Sequence, residues 1–208
     1  MKSVFDRYAQ KYDAWYDKNK FAYLSELKAL NKMLPKKGKG LEIGVGTGRF
    51  AGPLGIQFGI DPSRKMLKIA RKRDIKVRLG SGENLPFKRA SFDYAAIIIT
   101  LCFVKEPLNV FREVRRVLKK NGKLIIGAID KDSFLGKFYR RKKSVFYRQA
   151  RFFNIEEISA MLRDAGFKRL SYLQTLFSFP ENIVSIEEPL GGFGKGGFVI
   201  IKAVLEQK

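Results

Sequence analysis

The 208-residue chain is predicted to be an α/β protein with a mostly parallel sheet. Three observations predict it. Short apolar runs of strand length alternate with helix-period segments through the middle of the chain. The stretch "FDYAAIIIT", residues 92–100, is almost continuously apolar, as expected for a parallel strand covered on both faces. The stretch "LEIGVGTGRF", residues 41–50, sets three glycines at alternate positions just after an apolar run, where α/β folds bind ligands.

The elements follow in order. Phe5, Tyr8, Tyr12 and Trp15 recur at three- and four-residue spacing and mark one face of a helix. Tyr23, Leu27, Leu30 and Leu34 mark a second helix, which Pro35 stops. "KKGKG" is a turn and "LEIG" a short buried strand. "TGRFAGPL" is expected to form about two helical turns, and "IQFGID" a second strand. "PSRKMLKIARKR" reads as a helix with Met66, Leu67, Ile69 and Ala70 for packing, and "IKVRLG" as a third strand. "FDYAAIIIT" is the fourth. Leu108, Phe111, Val114 and Leu118 mark the next helix, with Asn121-Gly122 as its left-handed stop, and "KLIIGAI" is the fifth strand. Asn154 and Glu157 form a capping-box pattern for a helix carrying Ile155, Ile158, Met161 and Leu162 and ending at Gly166. "FKRLSYLQTLF" and "GFVIIKAVL" complete seven strands. Asp130 to Phe153 breaks the alternation and is too long for a tight turn, so it is expected to be an inserted cap. "GGFGKGGF", Gly191 to Phe198, precedes a strand and not a helix. It is therefore read as a mobile loop, not a phosphate loop.

Composition narrows the chemistry. The length suits a single domain with a real core. No apolar run reaches the roughly 20 residues that span a bilayer. The first residues have no apolar signal-peptide centre, so a cytoplasmic location is expected. One cysteine, Cys102, excludes an internal disulfide and a multi-cysteine metal site, and no metal is expected. Cys102 itself is read as a small buried side chain. With no histidine in the chain, the commonest base and the Ser–His and Cys–His arrangements are absent. The net charge of +22 suits an anionic partner such as RNA, or a solvated basic surface. The run from Arg64 to Arg78 is read as such a surface.

Three ligand classes compete for the glycine loop. A Walker loop needs Gly-Lys-Ser/Thr after four spacer residues, which this loop lacks. A dinucleotide fingerprint begun at Gly44 needs a glycine where Arg49 stands, and its acid would be Asp61, 17 residues on. The pattern Glu-x-Gly-x-Gly-x-Gly is filled by Glu42, Gly44, Gly46 and Gly48.

With that pattern the chain resembles the class I S-adenosylmethionine-dependent methyltransferases. It is similar to the type 11 group that includes the ubiquinone/menaquinone-biosynthesis enzymes. "LEIGVGTGRF" resembles the family's first motif and "GIDPSRKMLKIAR" its second strand and following helix. "GSGENLPFKRASFDYA" resembles the adenine-side loop and fourth strand, and "FREVRRVLKKNGKLII" the helix, turn and fifth strand. "FDRYAQKYDAWYD" is similar to the N-terminal lid helix. The resemblance implies a Rossmann-like, seven-stranded, mostly parallel sheet flanked by helices, with that lid and an inserted cap. The expected divisions are lid helices at 1–34, a cofactor core at 39–129, the cap at 130–153, and a last helix and strands at 154–208.

It also implies S-adenosylmethionine as methyl donor and S-adenosylhomocysteine as product. Asp61 would receive both ribose hydroxyls, unless it serves as a helix N-cap before Pro62. Glu42 would lie near the methionine amino end, and its position between Leu41 and Ile43 is costly for an unpaired carboxylate. Met66 would lie against the adenine, with Ser81, Gly82 and Glu83 along its edge. Ser81 stands where many relatives carry aspartate. Pro62 and Thr100 complete the implied set.

The acceptor is less defined. Tyr12, Tyr16, Tyr139, Tyr147, Asp130 and Asp132 are the candidate bases. "TLCF", residues 100–103, lacks the polar–Pro–Pro–aromatic motif of amino-methylating nucleic-acid enzymes. The cap interleaves Phe134, Phe138, Tyr139, Phe146, Tyr147, Phe152 and Phe153 with Lys137, Arg140, Arg141, Lys142, Lys143, Arg148 and Arg151. That mixture suits a walled small-molecule site or an RNA surface. A small-molecule methyltransferase is the first expectation and an RNA methyltransferase the second. A non-catalytic nucleic-acid-binding module and a nicotinamide oxidoreductase follow.

Overall fold

The structure, a computed structural model, describes residues 4–142 and 144–206; Lys143 of the expected basic cap lies outside the described residues. Two helices open the chain, α1 (Val4–Lys18) and α2 (Lys20–Met33). Then come β1 (Gly40–Ile43), β2 (Phe58–Asp61), α3 (Arg64–Ala70), β3 (Lys76–Leu79) and β4 (Phe92–Ile98). They are followed by α4 (Pro107–Val117), β5 (Leu118–Ile129), α5 (Phe134–Arg141), α6 (Ile155–Asp164), β6 (Phe167–Thr175), β7 (Leu190–Gly191) and β8 (Phe198–Leu205).

The strands form one sheet in the order β3-β2-β1-β4-β5-β8-β6-β7. β3 through β5 pair in parallel, and β8 runs antiparallel between β5 and β6. The order reverses between β1 and β4, and at such a point the carboxyl ends of the strands leave a crevice. Alternate residues of the buried strands feed two cores. Phe92, Ala95 and Ile97 of β4 pack with Val110, Phe111 and Val114 of α4 and Ile158 and Leu162 of α6. Tyr94, Ala96 and Ile98 pack on the other face with Leu30 of α2, Leu67 of α3 and Leu135 of α5.

Four expectations are corrected. Among the described residues the sheet has eight strands; the added one, β7, is a two-residue strand at the start of the glycine-rich loop, hydrogen-bonded to β6. Residues 44–55 form a chain of turns, not a helix. Pro53 has no N–H to donate, and Gly52 and Gly55 favour unwound backbone. The buried face of α4 is Val110, Phe111, Val114 and Val117, and Leu108 is exposed. Leu118 is already extended and pairs with Phe92. Asn121 does take a left-handed φ of 59°, but inside a bulge of β5, three residues past the helix cap Leu118.

The capping box of α6 forms as the pattern required. Asn154 Oδ1 accepts from Glu157 N at 2.8 Å, and Glu157 Oε2 accepts from Asn154 N at 2.8 Å. The Arg64–Arg78 run is a solvated face apart from Arg73, while Met66, Leu67 and Ala70 turn inward. Among the described residues no helix is long and apolar enough to cross a membrane.

Candidate active site

At the carboxyl ends of β1, β2 and β4 a cleft of about 160 Å³ collects nine of the eleven expected cofactor residues. They are Gly44, Gly46, Asp61, Pro62, Met66, Ser81, Gly82, Glu83 and Thr100, joined by Phe5 and Tyr12 from α1. Asp61 ends β2, 8 % exposed. Its Oδ2 accepts from Gly46 N at 2.9 Å and its Oδ1 from Ser63 N at 2.8 Å. Burial raises its pKa, and the two backbone N–H groups oppose that shift. Asp61 is not the cap of α3: Ser63 is, its Oγ accepting from Met66 N at 3.2 Å. The acid is left with lone pairs facing the cleft.

The glycines divide by role. Gly46, at φ 53°, has an open face: an added Cβ would meet only Tyr12 Cε1 at 3.8 Å and its own loop at 4.0 Å. Gly44, at φ 71°, is pressed by Thr100, whose Cγ2 would lie 2.2 Å from a Cβ there. Thr100 Oγ1 lies 3.2 Å from Gly44 O and 3.0 Å from Ile98 O, so its hydroxyl closes the loop. Gly48 lies outside the cleft, and its φ of 82° and close approach to Ile75 and Ala70 pack the loop onto α3. Glu42 also lies behind the wall, 1 % exposed. Its Oε2 has no hydrogen-bond partner among the described residues. Burial holds its carboxyl well above the usual range, against a backbone hydrogen bond at Ala51.

Helix α1 roofs the cleft. Arg49, which fills the place of a dinucleotide loop's glycine, ties this roof down. It donates to Asp13 at 2.9 and 2.8 Å and to Asp17 at 2.7 and 2.6 Å. Arg73 adds bonds to Asp13 at 3.0 Å and to Thr47 O at 2.6 Å. Ser63 Oγ donates to Asp6 at 2.6 Å.

A second cavity of about 340 Å³ lies beside the first. Tyr12, Ile99 and Phe103 line both. Ile99 carries a left-handed φ of 49°, a strained conformation for a β-branched residue, at the junction of the two. Trp15, Tyr16, Tyr139, Phe146 and Tyr147 supply most of the remaining wall, so the cap covers this chamber from one side and the lid from the other. Tyr12 and Tyr16 hydroxyls lie 2.7 Å apart. Tyr139 and Tyr147 stack at 4.7 Å. None of the seven cap rings is among the exposed hydrophobics, whereas Lys137, Arg140, Arg141, Lys142, Arg148 and Arg151 are all exposed.

Of the candidate bases, the four tyrosines line this chamber and burial pushes each hydroxyl's pKa up. Asp130 and Asp132 line neither cavity. Asp130 folds back onto Asp132 N, and Asp132 accepts from Asn154 at 3.0 Å. Cys102 is partly rather than fully buried, and burial pushes its thiol up to about 12. The sequence reading passed over Glu26 of α2, which lines the chamber at 1 % exposure with Oε2 unpartnered among the described residues. Its one sequence signal is a carboxylate four residues after Ala22 and four before Leu30, on the buried stripe of its helix.

A glycine loop at the topological switch point, an acid ending the second strand and a lidded second chamber define an α/β enzyme of nucleoside-cofactor group transfer. The methyltransferase-domain family model matches residues 41–126. A crystal structure from Thermotoga maritima described as "SAM-dependent methyltransferase, possible histamine N-methyltransferase" is 47 % identical. It superposes with a TM-score of 0.95 over 98 % of this chain and 99 % of that one. An uncharacterized protein of Methanocaldococcus jannaschii is 49 % identical over 97 % of this chain and 98 % of its own length. The demethylmenaquinone methyltransferase of Thermotoga maritima is 34 % identical over 65 % of this chain and 66 % of that protein. The chain belongs to the class I, type 11 S-adenosylmethionine-dependent methyltransferases.

The residues present fit that cofactor. Gly46 leaves a cradle that a Cβ would fill, and Glu42 carries an orphaned oxygen behind it. Asp61 brings a carboxylate to the wall of the cleft that Tyr12 also lines, beside the space such a cofactor would fill.

Proposed function

We propose that this methyltransferase acts on a small organic acceptor seated in the aromatic chamber. One observation carries the reading: the chamber and the cofactor cleft share Tyr12, Ile99 and Phe103, so an acceptor in the first abuts a donor in the second. When bound, S-adenosylmethionine supplies an activated methyl group on sulfur. Asp61 would hold its ribose, Gly46 its backbone-facing side, Met66 the adenine face, and Ser81, Gly82 and Glu83 the adenine edge, with Glu42 behind the wall on the side of its amino end. Pro62 and Thr100 complete the wall. Orientation can supply much of the acceleration, since effective molarities of roughly 10⁵–10⁸ M follow from placement alone. The lid and cap exclude water. The Thermotoga protein is described as a possible histamine N-methyltransferase, and histamine is of the small size this reading requires.

The net charge of +22 favours a second reading, an RNA methyltransferase. None of the cap's rings is exposed and Tyr139, Phe152 and Phe153 are buried, which argues against base stacking on that surface. The test is calorimetric titration with S-adenosylhomocysteine and, separately, with NAD, followed by RNA binding across a salt series. Micromolar binding of the first, none of the second and only weak, steeply salt-dependent RNA binding are expected. Tight RNA binding that survives high salt would reverse the order of the two readings.

A further inference from the structure

Among the described residues, Glu26 is the one carboxylate in the wall of a chamber otherwise built of rings and aliphatic side chains, apart from Lys11, Lys142 and Ser144. It sits 1 % exposed, with Oε2 unpartnered among the described residues. A buried acid without a partner is costly, and structures seldom keep one without a use. The apolar packing of α2 on the sheet is carried by Ala22, Ala29 and Leu30. The same chamber is lined by Tyr12, Trp15, Tyr16, Tyr139 and Tyr147. Aromatic faces attract cations, most strongly where water is excluded.

We infer that the chamber takes an organic amine, whose ammonium group pairs with Glu26 while its apolar remainder lies among the rings. This rests on the small-acceptor reading above and names the substrate class of the same site. A carboxylic acid is unsuited, because a second carboxylate beside Glu26 meets like charge in a low dielectric. A neutral alcohol would forgo both the ion pair and the cation–π attraction. Tyr12, Tyr16, Tyr23, Tyr139 and Tyr147 each feel the Glu26 charge, and burial holds all five hydroxyls neutral, so they do not compete for the cation. Lys11 and Lys142 are exposed and stand at the mouth. In the empty chamber burial raises the Glu26 carboxyl to about 8. An arriving ammonium lowers that value again, so at neutral pH the complex releases a proton to the buffer.

The test uses the full-length protein loaded with S-adenosylhomocysteine. Phenethylamine, tyramine and hexylamine are titrated calorimetrically, each against the alcohol of the same skeleton, with 3-phenylpropionate as the anion. Runs in two buffers of different ionisation enthalpy count the protons released. At least one amine is expected to bind tenfold or more tighter than its alcohol, releasing up to about one proton per amine bound at pH 7. E26Q is expected to keep its S-adenosylhomocysteine affinity and fold, to lose tenfold or more in amine affinity, and to release no proton. Alcohols or the acid binding as well as amines would overturn the inference. So would unchanged amine binding by E26Q, or no amine binding at all by the loaded protein. Failure of S-adenosylhomocysteine to bind is a separate result and counts against the cofactor reading instead.

Discussion

The Arg49 guanidinium grips the Asp13 carboxylate with two hydrogen bonds, Nε at 2.9 Å and Nη2 at 2.8 Å, and so fastens the lid helix to the glycine loop. The pair is mostly buried, at 14 % and 18 % side-chain exposure. Charge-assisted bonds in such a place contribute about 1.5–3 kcal/mol. Arg49→Ala is therefore expected to weaken S-adenosylhomocysteine binding about tenfold or more, at 1.4 kcal/mol per decade. Amide exchange in residues 4–18 should quicken while the strands stay protected. Unchanged exchange there would sink the role assigned to the clamp.

The same pair has a pH signature. Burial works to raise the Asp13 pKa, but its bonds to Arg49 and Arg73 prevail and hold it at about 2, below the ordinary 3.8. A depressed carboxyl stabilises the fold above its unfolded value and loses that contribution as pH falls through the folded one. The lid should stay fastened at pH 5 and loosen between about pH 4 and pH 2, as tryptophan fluorescence of Trp15 would report. The chain has one tryptophan, so the signal is unambiguous.

Glu26 acts in the opposite direction. Its carboxyl is raised to about 8 from 4.5 by burial, so the unfolded chain ionises first as pH rises. Stability of the empty protein should fall between about pH 4.5 and pH 8, with Glu42 adding to the loss. E26Q should flatten part of that slope and, at pH 8, be more stable than the parent protein by an amount on the order of a few kcal/mol, and so melt higher. A lower melting temperature at pH 8 would show that Glu26 supports the fold.

Two loop glycines should part company. Gly46→Ala adds a methyl group to open space, so the protein should fold with a cost of about 1–2 kcal/mol from its left-handed backbone. It should bind S-adenosylhomocysteine tenfold or more weakly, because the methyl occupies the cradle. Gly44→Ala drives its methyl into Thr100 and should fail to fold stably. Equal melting temperatures for the two variants would contradict this division.

Asp61→Asn tests the ribose contact. The amide keeps one acceptor but turns an NH₂ toward either Gly46 N or Ser63 N, each of which now donates to the acid. A loss of tenfold or more in S-adenosylhomocysteine affinity is expected by calorimetry. An affinity equal to that of the parent protein would remove Asp61 from the site.

The parallel half of the sheet was readable because its strands are buried on both faces, and continuous apolar runs such as Phe92–Ile98 announce that burial. The capping box announced α6 in the same way. The segment after β1 misled because its apolar spacing suits a helix, while Pro53 and its flanking glycines deny it the hydrogen bonds. The grouping of nine expected residues in one cleft was legible because they lie along loops that follow strands. The larger chamber was not, since Lys11, Glu26, Tyr139 and Leu176 meet only through tertiary packing. Glu26 was missed for that reason: in sequence it is one charged residue of a lysine-rich helix.

Tyr12 is a wall common to two rooms, and α1, which carries it, roofs both. On the function proposed here, neither the spent donor nor the methylated product would have a door of its own. One opening of one helix would set the residence time of both, with Arg49 as the spring on that door. A tighter spring would hold ligands longer and slow each turnover, so the fastest enzyme is not the one with the strongest lid.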